Sequence, residues 1–287
     1  TLPEDDMYRD IHRPSPFIEK MIANGYTGRK GKGGFYRLNR NGGKKIKEAL
    51  NLQTNEYHPA DRPALASVEA ARAGLRALVE HPDRGGQYAW RVLSHTLSYA
   101  AALVPQIADD IYAVDEAMKN GYAWKWGPFE LIDKLGASWF AEKLAEQGMA
   151  VPPLLQQVGE GSFYRIENGA LQHFGTDGSY HDVSRAEGVL LLSDIKRASK
   201  QVESNRSASL WDIGDKVLCL EFHSKMNAVD EGIMAMAAKA LKIIPTQGYR
   251  ALVIHNEGAN FSVGANVGLG LFAANIAAWP KITESVK

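Results

Sequence analysis

Residues 249–267 read YRALVIHNEGANFSVGANV. An apolar run of strand length gives way near His255 to a turn with two glycines, Gly258 and Gly264, among small residues. The chain then becomes apolar again as LGLFAANIAAW, residues 269–279. This order places a Gly-rich turn at the carboxyl end of a strand and the start of a helix. Free backbone N–H groups and the helix dipole suit an oxyanion or a phosphate there. Glycine also serves any tight connection, so the turn alone leaves both readings open.

The sequence before it supplies the frame. ASLWDIGDKVLCLEFHS, residues 208–224, predicts two strands about a turn at Gly214 and Asp215, and AVDEGIMAMAAKALKII, residues 228–244, a helix that Asp230 could cap. With the strand at 249–256, short strands alternating with a helix indicate a layered α/β sheet. Residues 15–24 and 64–148 are helical in pattern instead, and GYTGRKGKGGFYRLN (25–39) reads as a turn into a short aromatic strand. SPFIEKMIAN (15–24) has Ser15 as cap and proline first. Amphipathic helices are expected at 64–80, with Leu65, Val68, Leu75, Leu78 and Val79 on the apolar side, and at 87–106, packed on several sides. Others follow at 109–122 (cap Asp109 or Asp110, stop Gly121), from Pro128 to Gly136, and at 138–148. Between Pro152 and Asn205 short aromatic runs broken by NG and DG read as hairpins, followed by a helix and polar linker, with a domain cut near Ser207.

Composition narrows the class. In 287 residues, 45% hydrophobic, lysine plus arginine equal aspartate plus glutamate at 33 each, so no global field draws the chain to nucleic acid or an anionic membrane. No run approaches the roughly 18 apolar residues of a membrane helix. The acidic start, TLPEDDMYRDIHRP, lacks the character of a secretory signal. A single cysteine, Cys219, within KVLCLEF, excludes an intrachain disulfide and reads as a buried strand residue. The expectation is a cytoplasmic protein, and a first residue other than methionine suggests a piece of something longer.

Two motifs together resemble the crotonase, or enoyl-CoA hydratase/isomerase, family. Asn227–Ala228 match its NA turn, and Phe261–Ser262–Val263–Gly264–Ala265–Asn266 match its F-x-x-G-A-D loop, Asn266 standing for the usual aspartate. The resemblance spans about residues 208–287. It implies that the N–H of Ala265 is one of two donors to an acyl-CoA thioester oxygen, worth on the order of 3 kcal/mol in the transition state. It further implies that Gly264 sets the loop geometry, and that Lys225, Met226, Asn227, Ala228 and Val263 border the substrate. The family's second donor and its catalytic glutamates belong to a later part of that fold, and Glu257, which precedes the motif, is a poor candidate for the catalytic carboxylate.

Two further elements resemble the C-terminal helical domain of 3-hydroxyacyl-CoA dehydrogenases. GYTGRKGKGGFYR (25–37) is similar to the element that closes that domain, and VDEAMKNGYAWKWGPFELIDKLG (114–136) to one inside it. The first before the second implies the tail of one copy followed by another. Both are read as structural, with Asp133 bonding within its own turn. The implied organisation is a mainly α helical domain followed by a partial α/β segment: 1–60 the tail of the first copy, 61–206 the second copy plus a hairpin-rich linker, and 207–287 the N-terminal part of a crotonase-like domain.

The implied parent hydrates trans-2-enoyl-CoA and oxidises 3-hydroxyacyl-CoA with NAD bound upstream of this sequence. The chain itself is expected to be inactive, to take acyl-CoA and the parent's remaining domains as partners, and to be capable of homo-oligomers. No metal site is expected, because His173, His181, His223 and His255 lack ligand spacing and His95 sits on a helix. Two rivals stand beside this reading. One is phosphate recognition by Gly28–Gly34 with Arg29 and Lys30, although neither GxGxxG nor GxxxxGK[ST] is present. The other is a non-catalytic helical interaction module whose contact surface is marked by Trp124, Trp126, Trp139 and Trp211.

Overall fold

The computed structural model describes residues 2–286 apart from 5, 41–44, 62, 259 and 266, with no side chain described at 10, 11, 267, 269, 270, 273, 281 or 284–286. It forms two compact units, Thr1–Phe163 with Phe174–Ser179, and Tyr164–His173 with Tyr180–Lys287.

The first unit opens with α1 (Tyr8–Ile11) and α2 (Pro16–Ala23). Ser15 Oγ accepts the Ile18 N–H at 3.4 Å, as its sequence position predicts. A Gly-rich turn leads into an antiparallel sheet, β1 (Tyr36–Asn39), β2 (Ile46–Leu50) and β3 (Tyr57–Pro59), in that order. The single helix expected over 64–80 does not form. α3 (Ala66–Ala70) and α4 (Leu75–Val79) are separated by a 3-10 turn and by Gly74 at φ 139°, a backbone angle that glycine adopts without a Cβ clash. Val79 is buried, while Val68, expected on the same apolar side, is 64% exposed.

α5 (Arg84–Leu103) is capped by Asp83, whose carboxylate accepts the N–H groups of Gly86 at 2.9 Å and Ser67 at 3.0 Å. Those bonds hold its carboxyl well below the usual range. The helix buries Trp90, Ser94, Leu97, Ser98 and Ala101 along one stripe and exposes Tyr88 and Val92 in its first half, while no residue from 93 to 103 is exposed, so the expected packing on several sides holds for its second half. α6 (Ile111–Tyr122) takes Asp110 as its cap and ends at left-handed Ala123 (φ 55°), two residues beyond the expected stop at Gly121.

The next element, α7 (Pro128–Leu135), starts against a buried carboxylate. Asp115 reaches from α6 to accept the N–H groups of Phe129 at 2.9 Å and Glu130 at 3.0 Å. A Cβ on Gly127 would lie 2.2 Å from the Asp115 carboxyl carbon, so glycine there permits the approach. Asp133 does not stay within its own turn: its carboxylate accepts the N–H of Phe163 at 2.6 Å, tying the unit's end to α7. α8 (Ala137–Glu146) and α9 (Pro153–Val158) complete the helical core around Phe129, Ile132, Phe140, Leu144, Leu155 and Phe163, all fully buried.

The second unit contains β4 (Tyr164–Glu167), β5 (Ala170–Phe174) and β6 (Tyr180–Asp182). Asn168 and Gly169, both at positive φ, make the turn between the first two, as the NG pair predicts. After α10 (Leu192–Ala198) the expected polar linker holds a short strand, β7 (Glu203–Ser204). It pairs with β8 (Ala208–Asp212), and β9 (Val217–Phe222), α11 (Glu231–Thr246) and β10 (Ala251–Ile254) follow. The sheet order is β10-β9-β8-β7, with β10 parallel to β9. Alternation along the strands divides the side chains between two faces. Leu210, Leu218 and Leu220 meet Ile233, Met236, Ala240 and Ile243 of α11, while Trp211 and Cys219 meet Leu192 of α10. Burial pushes the Cys219 thiol up to about 11, consistent with a structural strand residue. The chain continues through α12 (Val267–Asn275) and α13 (Trp279–Val286).

The four tryptophans do not share one exposed surface. Trp211 is 4% exposed and donates its indole N–H to Glu221 at 2.9 Å; Trp124 and Trp139 are half-buried, and Trp126 alone of the four is exposed. No helix among the described residues is long and apolar enough to cross a membrane.

Replacing Asp115 by alanine strands the two amides that open α7. It is expected to lower the unfolding free energy of the first unit by about 2–4 kcal/mol. Urea denaturation followed by tryptophan fluorescence checks this, and a loss within about 0.5 kcal/mol contradicts it.

Candidate functional site

Parallel pairing brings the carboxyl ends of β9 and β10 side by side, with Ile254 opposite Leu220. The loops after them, 223–230 and 255–265, therefore leave the sheet together. Backbone pairing extends one step further, with the His255 N–H reaching the Leu220 carbonyl at 3.2 Å. A side chain then takes over from the backbone. Asn256, 8% exposed, accepts the Phe222 N–H on Oδ1 at 2.7 Å and donates from Nδ2 to the Phe261 carbonyl at 2.6 Å.

Three more bonds lace the two loops. Asn227 Nδ2 donates to the Asn260 carbonyl at 2.9 Å, Ser262 Oγ donates to the Asn227 carbonyl at 2.6 Å, and the Val229 N–H reaches the Gly264 carbonyl at 2.8 Å. Ser262 Oγ also accepts the Gly264 N–H at 3.0 Å. On the other loop Met226 (φ 57°) and Asn227 (φ 55°) are both left-handed, an uncommon pair for residues with side chains. Ser224 Oγ, donating to the Ala228 carbonyl at 2.7 Å, closes that turn.

The loop residues singled out in the sequence thus come together. Lys225 and Met226 are exposed on one loop with Asn227 and Ala228 half-buried behind them; Val263, Gly264 and Ala265 are exposed on the other. Asn266 lies outside the described residues. Gly264 sits at φ 85°, and a Cβ built on it meets nothing within 4 Å, so the space above it is open. Among the described residues the Ala265 N–H makes no hydrogen bond, although its neighbours at 264 and 229 do. The Ala265 N–H is thus an exposed backbone donor on a cross-tied corner, beside open volume, two residues before α12. Such a donor can stabilise a developing negative charge without reorganising.

Carboxylates near this corner are already committed. Glu257 accepts the N–H groups of Leu192 at 2.5 Å and Ser193 at 2.8 Å, capping α10. Asp230 caps α11 through the Ile233 N–H at 3.0 Å and accepts the Ser207 hydroxyl at 2.7 Å. Burial raises the Asp230 carboxyl, but those bonds outweigh it and leave it below its ordinary range. Asn256, Ser262 and the Glu257 cap were missed in the sequence. The available signal was an amide side chain directly after an apolar strand, a residue type able to both donate and accept where a ladder stops.

The other Gly-rich turn has a different character. Within 25–34 the N–H groups of Gly25, Tyr26, Gly28, Gly31, Lys32 and Gly34 all reach backbone carbonyls, so they are not turned outward as a phosphate cradle requires. His95 Nδ1 bonds the Arg91 carbonyl at 2.8 Å and His223 Nε2 pairs with Ser209 Oγ at 3.0 Å. Among the described residues no group of three or more His, Cys, Asp or Glu side chains could hold a metal ion.

Comparison with known proteins concerns the helical unit first. Residues 86–175 match the 3-hydroxyacyl-CoA dehydrogenase C-terminal domain. That span contains Asp115, Gly127 and the α7 start they define. A Bacillus subtilis (strain 168) protein described as a probable 3-hydroxyacyl-CoA dehydrogenase is 37% identical over 269 residues, 91% of this chain and 34% of that protein. Proteins of Rickettsia felis and Rickettsia prowazekii described as fatty acid oxidation complex trifunctional enzymes are 30% and 29% identical, each over 93% of this chain and 34% of their own length. The chain is thus related to 3-hydroxyacyl-CoA dehydrogenases and multifunctional fatty acid oxidation enzymes, and spans about a third of the curated relatives it matches. No solved structure matches it significantly.

Exchanging Asn256 for alanine removes both loop ties and leaves the Phe222 amide without its acceptor. The expected cost is about 1–3 kcal/mol of stability in the second unit, with faster hydrogen exchange at Phe222. Retention of the parent exchange rate at Phe222 contradicts the assignment.

Proposed function

We propose that the chain is a segment of a multifunctional fatty-acid β-oxidation enzyme. Its first unit supplies a helical domain of the 3-hydroxyacyl-CoA dehydrogenase, and residues 208–287 supply one wall of an enoyl-CoA hydratase/isomerase site. The observation that carries the second assignment is the Ala265 N–H, unbonded among the described residues, beside open Gly264 on a corner held by Asn256, Ser262 and Asn227. Similarity over more than nine-tenths of this chain to fatty acid oxidation proteins supports both assignments together.

The substrate is an acyl-CoA whose thioester oxygen accepts the Ala265 N–H. As water adds to the enoyl double bond, electron density moves onto that oxygen, and the fixed donor stabilises it. Lys225 and Met226 border the substrate on the facing loop. The proton-handling carboxylates belong to the parent enzyme, since Glu257 and Asp230 are occupied as helix caps. NAD is likewise assigned to the parent. The 25–34 turn is a poor fit to its pyrophosphate, because the amides of Gly25, Tyr26, Gly28, Gly31, Lys32 and Gly34 are taken by carbonyls.

With Glu257 and Asp230 engaged as helix caps, the chain alone is expected to bind crotonyl-CoA and leave it unchanged. Crotonyl-CoA is expected to slow amide exchange at 263–265 and leave that of β1–β3 unaltered. Gly264→Val, which fills the open volume and strains a positive φ, should abolish the effect. Unchanged exchange at 263–265 with excess thioester contradicts the proposal.

A further inference from the structure

A groove of about 430 Å³ lies along the amino-terminal half of α5, within the size range of about 300–1,000 Å³ typical of small-ligand sites. Arg84, Tyr88, Arg91 and His95 line it at helical spacings of four, three and four, so they form one stripe of the helix. Trp90 forms part of the floor and is fixed in place. It is 8% exposed, packs edge-on to Trp139 and Phe140, and donates its indole N–H to Gln147 Oε1 at 2.7 Å.

The lining is rich in donors and poor in acceptors. Arg37, Arg72, Arg76, Arg185 and Arg197 each pair with a carboxylate, whereas among the described residues Arg84 and Arg91 pair with none. No aspartate or glutamate lines the groove. Gln147 has its oxygen occupied by Trp90, which leaves its NH₂ to offer. The groove therefore repels a cation and leaves an apolar occupant with unmatched charge. An anion is attracted and can be gripped by guanidinium forks.

Shape and spacing narrow the anion further. The two arginines are seven residues apart, about 10 Å along the helix axis at 1.5 Å per residue. Side chains of their length reach two adjoining phosphates more readily than they converge on one. Tyr88, 71% exposed, stands between them and presents a free ring face for stacking.

We propose that this groove binds a nucleoside diphosphate, either free or as the nucleotide end of a larger cofactor. Arg84 and Arg91 hold the phosphates and Tyr88 stacks on the base. This site belongs to the first unit and does not depend on the acyl-thioester reading.

Calorimetric titration of the full chain with ADP, CoA, inorganic pyrophosphate and inorganic phosphate tests it. The expected result is saturable one-to-one binding of ADP, tighter than either inorganic anion; CoA binding that Arg84→Ala or Arg91→Ala weakens as it weakens ADP shows that the groove accepts the carried form. Arg84→Ala and Arg91→Ala should each weaken ADP at least about tenfold. Tyr88→Ala should weaken ADP while leaving pyrophosphate unchanged, and Gly264→Val should leave ADP binding intact. Arg84→Gln and Arg91→Gln, which keep most of the stem, serve where an alanine variant loses its thermal midpoint. Absence of saturable ADP binding, ADP no tighter than pyrophosphate, or arginine variants equal to the parent overturns the proposal.

Discussion

The second unit depends on a side-chain amide that finishes what the backbone begins. β10 and β9 run parallel only to Ile254 and Leu220, and beyond them the two chains must separate into loops. Asn256 supplies the next acceptor for Phe222 and spends its donor on Phe261, so the loop is held at the strand's end and again at its far side. Buried polar groups cost free energy unless paired, which makes this a strong constraint on where the loop can lie. Once it is held, Ser262 and Asn227 can meet across the gap, and the turn at Gly264 follows. The Ala265 N–H is left over because the neighbouring ties use other atoms.

A buried carboxylate organises the helical unit in a comparable way. Asp115 is fully buried on α6 yet accepts two amides of α7, so the start of one helix is fixed by the middle of another. Gly127 gives it room and Glu130 returns a bond to the Gly127 N–H at 2.8 Å. These residues fall inside the span similar to the dehydrogenase C-terminal domain, and their work is packing rather than chemistry. The groove on α5 is different in kind, because among the described residues Arg84 and Arg91 pair with no carboxylate and Tyr88 is exposed.

Local features were legible in the sequence. Ser15, Asp110 and Asp230 each bond an amide three residues on, and the NG pair makes its turn from its own two residues. The helix expected over 228–244 likewise forms as α11, and its Ile233, Met236, Ala240 and Ile243 meet the sheet. Bonds between distant parts were not legible, because periodicity carries no information about them. Asp133 finds Phe163 thirty residues on, Asn256 finds Phe222, and Glu257 finds Leu192, each across a separation that only the folded chain removes. The unbroken helix expected at 64–80 failed for another reason: apolar spacing continues through Gly74, but the backbone there does not. At the candidate site the motif residues were readable, and the side chains that hold them in place were not.

The central claim is that, among the described residues, the cross-tied corner leaves the Ala265 N–H without a partner. Site-resolved amide hydrogen exchange on the ligand-free chain tests it most directly. Val229 and Phe222, both bonded, should exchange slowly, and Ala265 at close to the rate of an unstructured alanine. Protection of Ala265 equal to that of Val229 would mean that its N–H is already engaged, and the account of the site would be wrong.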